Sequence, residues 1–474
     1  MSNTACQCAR STTQAMKMHH PNRGDRRSVI VTPGSVWDTG QPRPLAIIVA
    51  HVATHARNLD SHSGQRPSNM HNSPVCTSAT VSPELPPELI SAIIEQLYYD
   101  EDGNPDRRAL YACALVSAAW TGPAQRLLFH TVQLHGPRAF TFLHAIHPAR
   151  PSGTRLGEHV RRLEVRIGSG PGSGSPTSPD ATSLRPTEFL TLLAHCPRLY
   201  ELILRAYNVH AFEEPLIRAL AVLASDPSRT PLRALSLLRA GVQSPLLYQL
   251  LAVFPSVRFL RLGSEMAAPL PKSPASVALT ELVLYRLPSP RILSWLLASS
   301  LSTLVILDLR DAPDVQLTEI LAPHGPHLRS LRLLRYNARG AALIRLCPAL
   351  EELVLFQLST FLPLANLPQT LEHLSFRDFS WTSNPSLQTI IAAIETLPRL
   401  RLLTCDANAK QHGDFPALRR KCEKKGIALR TDALPIRTFE DAVPVNRFPR
   451  RKSISNFPLM NDKVGAADQL MHQS

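Results

Sequence analysis

The hydrophobic pattern changes period several times along the chain. Residues 1–80 are rich in Ser, Thr, His, Asn, Arg and Pro and keep no sustained period, which predicts disorder. Residues 83–146 read as short helices, with Leu89, Ile93 and Leu97 four apart on one face and Pro86 and Pro87 at the helix start. From about residue 160 a different template takes over, apolar-x-x-apolar-x-apolar, beginning at Val160-Leu163-Val165 and Leu199-Leu202-Leu204. It recurs ten times and closes at Leu400-Leu403-Cys405, with first positions separated by 39, 33, 25, 22, 25, 24, 22, 21 and 29 residues. Segments with helical spacing lie between the repeats, and steps such as Cys196-Pro197, Phe254-Pro255 and Cys347-Pro348 end them, because proline disfavours helix in the residue before it.

A single match of this kind is only an amphipathic segment. Ten matches punctuated by helices predict an α/β solenoid of leucine-rich repeats, horseshoe-like, over residues 160–433. A Gly/Ser/Pro insertion at 168–186 explains the long first spacing. The regular asparagine after each strand is missing: Asn408 alone sits in that slot, with Asn208 and Asn337 one residue late. Residues 434–474 are polar and contain proline and the basic cluster Arg447, Arg450, Arg451 and Lys452, so they are expected to be a disordered tail.

Composition adds little. Of 474 residues 44% are hydrophobic but only 6% aromatic, so leucine carries the core. The formal charge of +14 is spread along the chain, without the arginine-aromatic interleaving of a nucleic-acid surface. Nucleic acid is therefore a distant alternative. The eight cysteines are scattered, no secretory signal stands at the N-terminus, and the apolar run at 45–53 is too short for a membrane span. Those features predict free thiols and a cytoplasmic or nuclear location.

The segment Leu85-Pro86-Pro87-Glu88-Leu89-Ile90, the later Ala114-Leu115-Val116-Ser117-Ala118-Ala119-Trp120 and the stretch Gln125–Val132 together resemble an F-box. An F-box-like unit over 83–135 followed by repeats is similar to the arrangement of fungal F-box/leucine-rich-repeat proteins. The resemblance implies a substrate-recognition subunit of an SCF-type ubiquitin ligase. The F-box would dock on the Skp-type adaptor, and through it on the cullin–RING ligase, while the repeats hold a protein substrate. It makes Leu85, Pro86, Leu89, Ile93, Leu97, Val116 and Trp120 the adaptor-binding candidates, although Leu97, Val116 and Trp120 could equally fill a small helical core. An interaction scaffold unrelated to ubiquitin, with the helices as an end cap, is the other reading.

Within each repeat strand the leucines face inward, so their neighbours line the concave face. Reading those neighbours gives Arg205, Arg261, Tyr285, Arg310, Arg332, Phe356 and Arg377 as candidates for holding substrate. Arginine and aromatics are common interface anchors, and arginine suits carboxylate or phosphate, so an acidic or phosphorylated peptide is the expected ligand. No G-x-S-x-G, Walker-type loop, H-E-x-x-H or paired C-x-x-C occurs, so the sequence asks for no enzyme, cofactor or metal.

Overall fold

The computed structural model describes residues 85–100, 103–150, 152–168, 183–358, 364, 366–377, 387–431 and 440–461. Contacts divide the chain into Met1–His55 and Ala56–Ser474, and every described residue belongs to the second unit. The predicted disordered N-terminal region and most of the 168–186 insertion lie outside the described residues.

Among the described residues three helices come first: α1 (Pro87–Gln96), α2 (Arg107–Ala114) and α3 (Ala118–Leu128). Pro87 opens α1, where its missing N–H costs nothing, and the Asp106 carboxylate caps α2 by accepting from the amides of Arg108 and Ala109. Ile90, Ile94, Leu97, Leu110, Cys113, Trp120 and Leu127 form the buried interior of this unit.

Twelve parallel strands follow in strict sequence order: β1 (Thr131–Leu134), β2 (Arg162–Gly168), β3 (Glu201–Tyr207), β4 (Ala234–Arg239), β5 (Phe259–Leu262), β6 (Glu281–Leu284), β7 (Ile306–Leu309), β8 (Ser330–Arg335), β9 (Glu352–Gln357), β10 (His373–Phe376), β11 (Leu402–Cys405) and β12 (Ala428–Thr431). Every neighbouring pair is hydrogen-bonded with no strand skipped, which makes a solenoid. The second leucine of the template stands in one register throughout, Leu163 beside Leu202, then Leu235, Leu260, Leu282, Leu307, Leu331, Leu353, Leu374 and Leu403. Each is buried against the helices that return the chain, among them α6 (Pro186–Ala194), α7 (Glu214–Ala224), α8 (Leu246–Val253), α9 (Pro290–Leu297), α10 (Val315–Leu321), α11 (Ala338–Arg345), α12 (Gln388–Thr396) and α13 (Phe415–Lys425). (Two further helices, α4 (Arg138–Ala145) and α5 (Gly153–His159), serve the same role between β1 and β2.) Burying such a leucine contributes roughly 1.5–3 kcal/mol, and because side chains alternate across a strand the residues beside them face the helix-free side of the sheet.

The N-terminal boundary of the array differs from expectation. The array begins at β1 rather than at residue 160, because Phe129, Val132 and Leu134 already obey the template. The helical unit is thus continuous with the first repeat, and Tyr98 donates to the Thr131 hydroxyl at 3.2 Å across the junction. The array ends at β12, whose helix α13 stops on Gly426 in the left-handed conformation, φ 68°, that glycine adopts without strain. The asparagines form no ladder: Asn337 instead caps α11 through the Gly340 amide at 2.8 Å.

The expectation of a disordered C-terminal tail is overturned for residues 440–461. They pack on the helix-free face, with Glu440, Asp441, Ala442, Val443, Phe448, Arg450, Phe457 and Met460 buried. The residues are polar by composition, but their charges find partners on the sheet, and that pairing orders them.

Candidate protein-binding face

The helix-free face is built from alternate strand residues. Its lowest row stands one position before the second leucine and includes Arg162, Glu201, Phe259, Glu281, Ser330, Glu352 and His373. The next row includes Arg261, Asp308, Arg332 and Ser375, and the upper row includes Arg205, Tyr285, Arg310, Phe356 and Arg377.

Charges alternate across the lower part of the face. Glu352 accepts from Arg332 at 2.7 Å, from Ser330 at 2.6 Å and from His373 at 2.8 Å, and the far side of the His373 ring meets the Thr404 hydroxyl at 2.9 Å. Arg332 also donates to Glu440 of the C-terminal segment. Glu440 lies 3.4 Å from Arg450, which is itself 2.6 Å from Glu281. Negative and positive groups thus follow one another from β9 through β8 and the segment to β6. Burial works against the charge of Glu352, but Arg332, His373 and Ser330 outweigh it and hold the carboxyl well below the usual range. Burial likewise opposes charge on Arg332, and Glu440, Glu352 and Asp308 more than restore it. At the other end Arg162 pairs with Glu201 at 2.9 Å and lies 3.5 Å from Asp441.

The segment is also held through its backbone. Tyr200 donates to the Ala442 carbonyl at 2.8 Å, Arg329 to that of Asn446 at 3.1 Å and Arg401 to that of Phe448 at 3.4 Å. Its far end returns to the helical unit. Phe457 stacks on His130 with centroids 4.0 Å apart and meets Tyr98 edge-on at 5.0 Å, and Asn461 accepts from Arg161 at 2.6 Å.

Of the residues expected to hold substrate, Arg205, Arg261 and Tyr285 are half-buried on this face, with Arg205 3.1 Å from Glu164. Arg310, Arg332, Phe356 and Arg377 are buried. Arg310 pairs with Asp308 at 2.7 Å and lies 3.7 Å above the Phe356 ring, and Arg332 is committed to Glu352 and Glu440. These four belong to the internal wiring of the face rather than to a solvent-facing row. The row before the second leucine is not among the sequence candidates, and its run of Arg, Glu, Ser and His is the signal that marks it.

The adaptor-binding candidates separate into two groups. Leu85 and Leu89 are 46% and 51% exposed, Pro86 is exposed, and Ile93 and Val116 are half-buried. Leu97 and Trp120 fill the helical core instead. Two apolar residues not singled out from the sequence, Tyr111 and Leu115, are 63% and 62% exposed.

No protein-family model matches the chain, and no curated protein matches it by sequence. Among solved structures, the crystal structure of the leucine-rich repeat domain of APL1B is similar at 14% identity, covering 81% of this chain and 96% of that one, with a TM-score of 0.22. That score is too low to add to what the strand order shows. Among the described residues no helix is long and apolar enough to cross a membrane.

Proposed function

We propose that the chain is a non-catalytic substrate-recognition subunit of an SCF-type ubiquitin ligase. In this reading the helical unit at 85–128 docks on a Skp-type adaptor, and the helix-free face of the solenoid holds a protein substrate with acidic character. The observation that carries it is the exposure of Leu85, Leu89, Tyr111 and Leu115 on a unit whose other large apolar side chains are buried or half-buried. Exposed apolar residues mark a contact surface where they are contiguous, and of these four Tyr111 and Leu115 stand one helical turn apart. The other two, Leu85 and Leu89, fall where the F-box resemblance requires docking residues.

A second reading has its own support. Because β1 continues the helical unit directly into the sheet, and Tyr98 is bonded to Thr131, the helices also suit an end cap that shields the first repeat of an interaction scaffold. Co-purification with a Skp-type adaptor separates the two. The ligase reading expects a complex that is lost when Leu85 and Pro86 are both changed to alanine. Failure of the unmodified chain to bind favours the scaffold.

A further inference from the structure

We infer that residues 440–461 are a ligand of the helix-free face carried on the same chain, holding a site that an external peptide of the same chemistry takes over. The recognised pattern is two adjacent carboxylates followed by an arginine about ten residues later.

The core of the solenoid is complete without this segment. The continuous apolar core runs through the repeats and contains none of residues 440–461. Ala442, Val443 and Met460 instead form a small separate cluster with Tyr200, Ala234 and Phe259.

The way it is attached is that of a bound peptide. Among the described residues its backbone–backbone bonds are local turns, such as the Val443 amide to the Asp441 carbonyl at 2.9 Å and the Asn456 amide to the Ser453 carbonyl at 3.0 Å. It adds no strand to the sheet. Side chains of the face reach its carbonyls instead, as Tyr200, Arg329 and Arg401 do.

The charges of the face tolerate its departure. Arg332 keeps Glu352 and Arg162 keeps Glu201 when Glu440 and Asp441 leave, so no arginine is stranded. The same geometry defines the ligand. Glu440 and Asp441 engage different arginines, while Glu281 takes the guanidinium of Arg450. A polyphosphate backbone would meet the carboxylates of Glu201, Glu281 and Glu352 along the same row and be repelled. A peptide carrying both signs fits. The tether keeps the segment at an effective concentration on the order of millimolar, so a competitor must bind more tightly than that or arrive with the tail restrained.

This inference rests on the part of the proposed function that gives the face a protein ligand, and its test involves no adaptor. A protease site placed within residues 434–438 of the full chain allows the link to be cut in the folded protein. A fluorescent peptide of residues 438–461 should then exchange into the cut protein, seen as a rise in anisotropy, and not into the uncut one. The same peptide with Glu440→Lys and Asp441→Lys should bind at least tenfold more weakly. Unfolding on cutting, or a fragment that never exchanges below the melting temperature, would overturn the inference. A second measurement needs no insertion. The intact chain carrying Glu440→Lys and Asp441→Lys should accept the unmodified peptide that the natural chain refuses, and refusal by both overturns the idea equally.

Discussion

The Arg450 guanidinium lies 2.6 Å from the Glu281 carboxylate, and both side chains are almost wholly out of solvent. Removing one member of a buried ion pair leaves the other charge stranded, at a cost of about 3–5 kcal/mol if it stays buried. Here Glu281 has an alternative, since undocking of the C-terminal segment returns it to water. Arg450→Met is therefore expected to release the segment while the solenoid stays folded. Trypsin should cleave after Arg447, Arg451 and Lys452 at least tenfold faster, with little change in the melting temperature. Unchanged cleavage together with a large fall in melting temperature would show the segment to be an integral part of the fold.

Trp120 and Leu89 should behave oppositely. Trp120 is 6% exposed and Leu89 51% exposed within the same helical unit. Trp120→Ala is expected to destabilise that unit by about 3–5 kcal/mol, the usual cost of truncating a buried aromatic. Leu89→Ala should fall within about 0.5 kcal/mol of the natural chain in denaturant unfolding, as surface changes do. A large loss for Leu89→Ala would place it in the core and remove it from the docking surface.

Leu353 stands in the middle of the leucine register, fully buried between Leu331 and Leu374. Leu353→Ala should cost about 2–5 kcal/mol, from lost transfer energy and the cavity left behind. Val354, its neighbour in sequence, is equally buried but stands on the helix-free face outside the continuous apolar core, so Val354→Thr should cost less. Urea unfolding of the two variants compares them directly, and equal losses would contradict the alternation of faces.

His130 supplies a pH dependence. Burial, reinforced by the positive charges of Arg161, Arg162 and Arg126, holds its ring down at about 3, and its flat face is covered by Phe457. The unfolded chain takes up this proton below its ordinary value of about 6.5, whereas the folded chain does not. Its contribution is therefore intact above pH 6.5 and is lost progressively as the pH falls from 6.5 towards 3. The slope is at most about 1.4 kcal/mol per pH unit for one proton. The melting temperature of the natural chain should drop over this window more than that of His130→Gln. Parallel pH profiles would remove His130 from the explanation.

Much of the fold is legible in the residues because the leucine template repeats within the span of one strand and one helix. The register of Leu163 through Leu403 follows from it. The first strand escaped notice because Phe129, Val132 and Leu134 follow helical residues without a break, so one stretch carries both periods. The last strand lacks the template's apolar ends, with Gly426 and Thr431 in those slots. The C-terminal segment is a different case. Tyr200 and Ala442, or Arg161 and Asn461, meet across most of the chain, and no local period encodes such a meeting. The place of arginines such as Arg310 and Arg332 on the helix-free face can be recognised from strand alternation. Their commitment to Asp308, Glu352 and Glu440 becomes visible only when the strands are placed side by side.

The most direct test of the proposed ligase role is calorimetric titration of a purified Skp-type adaptor into the full chain. Saturable binding of one adaptor per chain is expected, weakened at least tenfold by Leu85→Ser with Leu89→Ser in a protein whose melting temperature is unchanged. No binding by the folded, unmodified chain would contradict that role.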